Sequence, residues 1–298
     1  MKTITERIEG GDVLVADGAM GSLLMAMAGD LIKGSCPEAV NLARPEILEK
    51  VAKLYLDAGA NLIQTNTFGG SPLKLSDYKM EDKTEEINGT AVRSVRKVIG
   101  KEAYLSASVG PSGKLLAPLG PVSEDEMFDN FSRQIKVLID HEVDILCIET
   151  MTDINEAVIA IKAARDISKT IPVMSTMTYN PSPRGFFTVM GVTIGQAATE
   201  AEAAGAAIVG SNCGNGIENM VLIAQEYQKQ AKLPLIIQAN AGLPELKDDK
   251  PVYPETPEFM ASKIKDLLAA GVVIVGGCCG TTPGHIRAFR ETVDQLLS

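Results

Sequence analysis

Along the chain a short apolar run gives way to an amphipathic helical pattern, and the pair recurs eight times. The apolar runs fall at 13–16, 60–65, 103–108, 144–149, 172–178, 207–211, 235–239 and 272–276. Most are continuous rather than alternating, which suits parallel strands buried on both faces. Helical periodicity fills the intervals, with start and stop residues in place. Pro45 opens 45–58, which ends at Gly59, and 84–99 ends at Gly100. Ser123 has capping-box spacing to Glu126, Asp153 opens a helix to about 168, and 193–204 ends at Gly205. The remaining helical stretches are 217–232, 257–270 behind Thr256-Pro257, and a last one behind Thr282-Pro283 to about Leu297.

Eight βα units predict an α/β fold, a single (β/α)8 TIM barrel that takes in residues 1–298 as one domain. The rival is a doubly wound open sheet, whose first turn usually carries G-x-G-x-x-G. Here that turn reads Asp17-Gly18-Ala19-Met20-Gly21-Ser22, which does not fit. The least regular stretches, 69–82, 111–121, 180–191 and 241–253, each follow an expected strand. In a barrel such loops gather at the C-terminal face, where active sites form.

Charge and cysteine usage narrow the function classes. Acidic residues outnumber basic ones by 38 to 28, for a net charge of −10. That argues against a phosphate-neutralising surface, so nucleic acid is not an expected partner. No apolar run approaches the roughly 18 residues of a membrane span, so no membrane is expected either. The N-terminus carries Lys2, Glu6, Arg7 and Glu9 and lacks the apolar stretch of a secretory signal. Five cysteines in a chain of this size suggest reduced thiols and a cytoplasmic location.

Three of those cysteines stand at expected strand ends. Cys213 follows the sixth strand in Asn212-Cys213-Gly214, and Cys278 and Cys279 follow the eighth in Gly277-Cys278-Cys279-Gly280-Thr281. Both strands end on one barrel face, so the sulfurs can converge. Successive side chains on a strand point opposite ways, so Cys278 and Cys279 share a target only if the backbone leaves strand geometry. The flanking glycines supply that freedom. Three thiolates suit Zn²⁺ and leave a fourth position open, the pattern of a catalytic rather than a structural site. Such an electron-rich site is a weak Lewis acid toward carbonyls. It binds a substrate thiol, lowers its pKa and leaves it nucleophilic, which favours alkyl transfer to sulfur. Cys147 lies inside the fourth strand and reads as core; Cys36 has no assigned role. The two histidines, His141 and His285, lack ligand spacing, and the methionines read as packing.

The segments Asp17-Gly18-Ala19-Met20-Gly21, Thr65-Asn66-Thr67-Phe68, Glu149-Thr150, Asn212-Cys213-Gly214 and Gly277-Cys278-Cys279-Gly280-Thr281 resemble the signatures of the homocysteine S-methyltransferase family. The resemblance covers nearly the whole chain, in order, at strand ends. It implies a zinc-containing barrel with Cys213, Cys278 and Cys279 as ligands and catalytic centre, and homocysteine sulfur at the fourth position. It also implies that Asp17, Gly18 and Glu149 hold the amino and carboxylate ends of the substrate, with Ala19, Asn66, Thr67 and Asn212 completing its shell. Elementary chemistry agrees. A carboxylate suits an ammonium, and N–H groups of a turn entering a helix suit a carboxylate. The plainer alternatives are a helix N-cap for Asp17 and loop hydrogen bonds for Asn66 and Asn212.

The expected reaction is zinc-dependent methyl transfer to homocysteine, forming methionine. The expected donor is a methyl-corrinoid on a separate protein, or a small methyl donor. The corrinoid motif Asp-x-His-x-x-Gly is absent, since 140–144 reads Asp-His-Glu-Val-Asp. Betaine would want an aromatic cage, and only Phe68, Tyr179, Phe186 and Phe187 lie near strand ends. Two alternatives stay open: a zinc methyltransferase for a different thiol, and a non-catalytic thiol-binding subunit of a larger complex. A Schiff-base aldolase or lyase finds no lysine at a strand end.

Overall fold

Eight strands form one parallel sheet in the computed structural model, which describes residues 2–32, 36–247 and 250–298. They are β1 (Leu14–Val15), β2 (Leu62–Gln64), β3 (Tyr104–Val109), β4 (Ile145–Met151), β5 (Val173–Met177), β6 (Ile208–Asn212), β7 (Leu235–Ala239) and β8 (Val272–Gly277). Each pairs with its chain neighbour from β2 to β8, and β8 pairs with β1. A parallel bridge from Ala16 to Leu62 joins the two ends, with Asp17 N–H donating to Leu62 O at 3.0 Å. The expected barrel is therefore the observed one, and all eight apolar runs are strands.

The barrel interior is layered, and the layering locates the site. At the N-terminal end the inward side chains are Leu14, Ala16, Leu62, Tyr104, Ile145, Cys147, Met174, Ile208, Ile236 and Ile274, one apolar cluster. Burying each large member contributes roughly 1.5–3 kcal/mol. The short helix Ile4–Glu9, which the sequence reading passed over, inserts Ile4 into the same cluster. Its Thr3–Glu6 capping box was visible in the sequence. Two residues further along five of the eight strands the inward set turns polar: Gln64 follows Leu62, Ser106 follows Tyr104, Glu149 follows Cys147, Thr176 follows Met174 and Gln238 follows Ile236. Since strands alternate with a period of two, these groups share the interior of the C-terminal half. Cys147 is core, as expected.

Two irregular stretches carry structure of their own. The loop after β5 folds into the hairpin Asn180–Ser182 with Gly185–Phe187, and the loop after β7 into Glu245–Lys247 with Lys250–Val252. Positions 248 and 249 of the expected 241–253 loop lie outside the described residues. The helix expected over 257–270 is two, Pro257–Ser262 and Ile264–Ala269, divided at Lys263. No helix among the described residues is long and apolar enough to cross a membrane.

Candidate active site

The three cysteines meet at the C-terminal mouth because the chain leaves strand geometry at both places. Cys213, after β6, takes φ 61°, a left-handed conformation uncommon outside glycine. Its N–H donates to Gln238 O at 3.2 Å and holds the turn against β7. Cys278 begins a turn closed by Thr281 N–H on Cys278 O at 3.1 Å. Gly280, third in that turn, has φ 81°, as a type II turn requires. A Cβ on Gly280 would also lie 2.1 Å from the Tyr253 ring. The turn swings Cys279 to the same side as Cys278.

Cys213 Sγ and Cys279 Sγ are 3.9 Å apart, and all three sulfurs lie within 4.8 Å of one another. Among the described residues this is the one group of three or more potential ligands so arranged. Sulfurs about 2.3 Å from one tetrahedral zinc would stand about 3.8 Å apart, so the donor set fits that ion in both chemistry and spacing. The cluster takes its first negative charge readily. Hydrogen bonds from Cys213 and Cys278 push Cys279 down to about 3, while donation to Cys213 and Cys279, with burial, holds Cys278 well above the ordinary thiol range.

A cavity of about 260 Å³ opens beside the sulfurs. Residues 18–22 line it on one side, where the helix Met20–Ile32 begins. Glu149, Ser108, Gln64 and Gln238 line it from the strands, and Phe68, Pro37 and Glu38 from the loops. Glu149 accepts from Ser108 Oγ and, at 3.1 Å, from Asn212 Nδ2. Burial pushes it up to about 7 despite those donors. Asp17 is fully buried just behind the cavity wall. Its Oδ2 accepts the Gln64 N–H at 2.8 Å, and Oδ1 has no partner. Burial, reinforced by the charge of Glu149, pushes Asp17 up to about 8.

The expected substrate residues divide. Gly18, Ala19, Asn66 and Glu149 line the cavity, with Cys213, Cys278 and Cys279; Asp17, Thr67 and Asn212 do not. Ala19 N–H is already given to Thr281 Oγ1. The Asn66 amide donates to Pro37 O and Asn41 Oδ1, the loop role that was its alternative. The Thr67 hydroxyl is buried and donates to Ser108 O at 2.7 Å. The Asn212 amide bonds Glu149, Thr150 and Thr176. Asp17 does not cap the helix; it bonds the β2 backbone instead. Gln64, Ser108 and Gln238 were missed. Their signal was a polar residue placed an even number of positions beyond an inward apolar one. Cys36 has a local role, donating to Glu38 Oε2 at 2.7 Å while Glu38 Oε1 accepts the Gly69 N–H. Burial beside Glu38 pushes the Cys36 thiol up to about 12. His285 bonds Thr282 N–H and Glu255 O, and His141 bonds Val137 O and Arg93, so neither enters the site.

The sequence profile of the homocysteine S-methyltransferase family matches residues 14–293. The chain belongs to this family. Methionine synthase of Mycobacterium tuberculosis is 33% identical over 299 residues, covering 95% of this chain and 25% of that protein. Methionine synthase of Mycobacterium leprae is 31% identical, covering 98% and 25%. The chain thus spans about a quarter of the length of these curated relatives. The metallated form of the Escherichia coli homocysteine methyltransferase MmuM superposes with a TM-score of 0.79 at 22% identity, covering 96% of this chain and 98% of that one. That likeness carries the fold. Family membership accounts for the agreement between the strand-end motifs and the barrel, since the match includes all eight strands and all three clustered cysteines.

Proposed function

We propose that this barrel methylates the thiol of homocysteine to give methionine, using zinc held by Cys213, Cys278 and Cys279. The observation that carries the reading is the convergence of the three sulfurs on a cavity whose other walls offer a buried carboxylate and a helix N-terminus. Zinc bound by three thiolates supplies a soft cation that lowers a substrate thiol's pKa and leaves the sulfur nucleophilic. The rest falls to the chain. Glu149 faces the cavity and accepts the substrate ammonium, with Asp17, whose Oδ1 is unpaired, buried behind the wall. The start of the helix at Met20 receives the substrate carboxylate on backbone N–H groups. Phe68 and Pro37 shield the methylene groups from water.

The donor we favour is a methyl-corrinoid protein. Exposed apolar side chains on the mouth loops support a macromolecular donor: Leu119, Val189, Leu243 and Leu246 are each more than half exposed. Of the four aromatics weighed for a betaine cage, only Phe68 lines the cavity. Tyr179 is buried against Tyr227 instead.

Calorimetric titration of homocysteine into zinc-loaded and metal-stripped protein tests the acceptor half. Zinc-dependent binding that releases about one proton per site is expected. A zinc-loaded protein that ignores homocysteine and binds another thiol overturns the substrate. Methyl transfer from protein-bound methyl-corrinoid, compared with S-methylmethionine and betaine, then tests the donor.

A further inference from the structure

We infer that Asn212 is a positioning residue that locks Glu149, the proposed partner of the substrate ammonium, and Cys213, a proposed metal ligand, into one mechanical unit. The inference rests on the reading above and names a residue that acts without touching substrate. A carboxamide has two donor hydrogens and two acceptor lone pairs. All four are used within the protein. Nδ2 donates to Glu149 Oε2 at 3.1 Å and to Thr150 Oγ1 at 2.8 Å. Oδ1 accepts from Thr150 N–H at 2.8 Å and Thr176 Oγ1 at 2.8 Å. Nothing is left for a ligand.

The bonds fall where the backbone is strained. Thr150 and Cys213 both have left-handed conformations, with φ 60° and 61°. Such residues persist only where the surroundings over-determine them. Thr150 directly follows Glu149, and Cys213 directly follows Asn212. One side chain therefore ties the turn that aims Glu149 to the turn that aims Cys213. The backbone of Asn212 is pinned as well, its carbonyl accepting from Thr178 Oγ1 at 2.9 Å. With Ser108 on the other oxygen, the plane of the Glu149 carboxylate is fixed. Aspartate would set a second carboxylate against Glu149, and glutamine is a methylene too long.

The test compares Asn212→Ala, Asn212→Asp, Glu149→Gln and the double variant Asn212→Ala/Glu149→Gln. Three quantities are read: zinc affinity by chelator competition, homocysteine affinity of the zinc-loaded protein, and Tm. Asn212→Ala is expected to weaken both zinc and homocysteine binding by roughly 10–100-fold, the range for groups that orient ligands. Adding Glu149→Gln to it is expected to cost no further homocysteine affinity. Asn212→Asp keeps the bonds from Thr150 N–H and Thr176. It is expected to hold zinc close to wild type while losing homocysteine as Glu149→Gln does, and it serves if the alanine variant fails to fold. Folded variants with a lower Tm but unchanged affinities overturn the inference, as do additive losses of homocysteine binding in the double variant. If the wild-type barrel binds no homocysteine, the proposed reaction fails, and zinc affinity of the Asn212 variants alone decides this inference.

Discussion

Replacing Glu149 by glutamine should stabilise the free protein above neutral pH while weakening its grip on homocysteine. Glu149 is buried and held at about 7, against an ordinary value of 4.5. The folded state therefore binds its proton more tightly than the unfolded state does. Between about pH 4.5 and 7 the unfolded chain gives up this proton first, so wild-type stability falls as pH rises through that window. At about 1.4 kcal/mol for each pH unit, the ceiling on this cost is about 3 kcal/mol, present in full above pH 7 and absent below 4.5. Glutamine cannot ionise. Its oxygen can accept from Asn212 Nδ2, and its amide can donate to a rotated Ser108 hydroxyl, so both neighbours keep a partner.

A shift of about 2 °C per kcal/mol suits a chain of this size, so the Tm of Glu149→Gln should exceed wild type by roughly 6 °C at pH 8. The two should coincide near pH 4.5. Thermal melts of the ligand-free proteins from pH 4.5 to 8.5 check this. Losing the charge-assisted bond to the substrate ammonium should cost roughly 10–100-fold in homocysteine affinity at pH 8. A Tm difference independent of pH, or one of opposite sign at pH 8, would refute the claim that burial of an ionised Glu149 strains the free protein.

Other perturbations separate the cysteine cluster from its scaffold. With the proposed zinc site, serine at Cys213, Cys278 or Cys279 should abolish zinc retention and homocysteine binding, read by metal analysis and calorimetry. Cys147→Ala, inside the apolar layer, should cost about 1 kcal/mol and leave zinc content unchanged. In Gly18→Ala the new Cβ would fall 2.6 Å from Thr281 Oγ1 and 2.9 Å from Tyr55 Oη. A lower Tm, by about 1–3 kcal/mol of stability, and weaker homocysteine binding are expected. Of two truncated substrates, the thiol-acid lacking the amine should lose more affinity than the thiol-amine lacking the carboxylate, by roughly 10-fold. Competition calorimetry orders them, and the reverse order would remove Glu149 from the ammonium site.

The fold was legible because parallel barrel strands are buried on both faces and announce themselves as continuous apolar runs. One cap was equally plain: Ser123 accepts the N–H of Glu126, as its spacing suggested, and Thr193, expected as the first helical residue, is itself a cap that accepts the N–H of Gln196. The cysteines were legible through chemistry, because Gly-Gly-Cys-Cys-Gly has few other reasons to end a strand. Distinguishing a residue that faces the cavity from one that props up a neighbour was beyond the motifs. Asn212 and Thr67 sit in signature segments yet spend their polar groups on Glu149 and Ser108. Gln64 and Gln238 lie outside any expected motif and line the cavity. Phase along the strand, counted from an inward apolar residue, was the information needed. It depends on knowing which strand positions face in, which the closed sheet supplies.

The same phase explains the charge of the site. The barrel end that receives the polar layer also receives Glu149, Asp17 and three thiols, and no Lys, Arg or His lines the cavity among the described residues. An acidic concavity without basic side chains is incomplete in the free protein. Burial holds Asp17 at about 8 and Glu149 at about 7, and Asp17 keeps an unpaired oxygen. Two cationic groups suit that deficit, a soft dication at the sulfurs and an ammonium at the carboxylates. A ligand carboxylate has no side-chain cation to meet among the described residues, and the N–H groups where the helix Met20–Ile32 begins can serve as its donors. A zwitterionic amino acid ending in a thiol places one group at each of these three points. The proposed substrate, homocysteine, has that form, whereas a simple alkyl thiol would fill the sulfur end and bring no ammonium to Glu149.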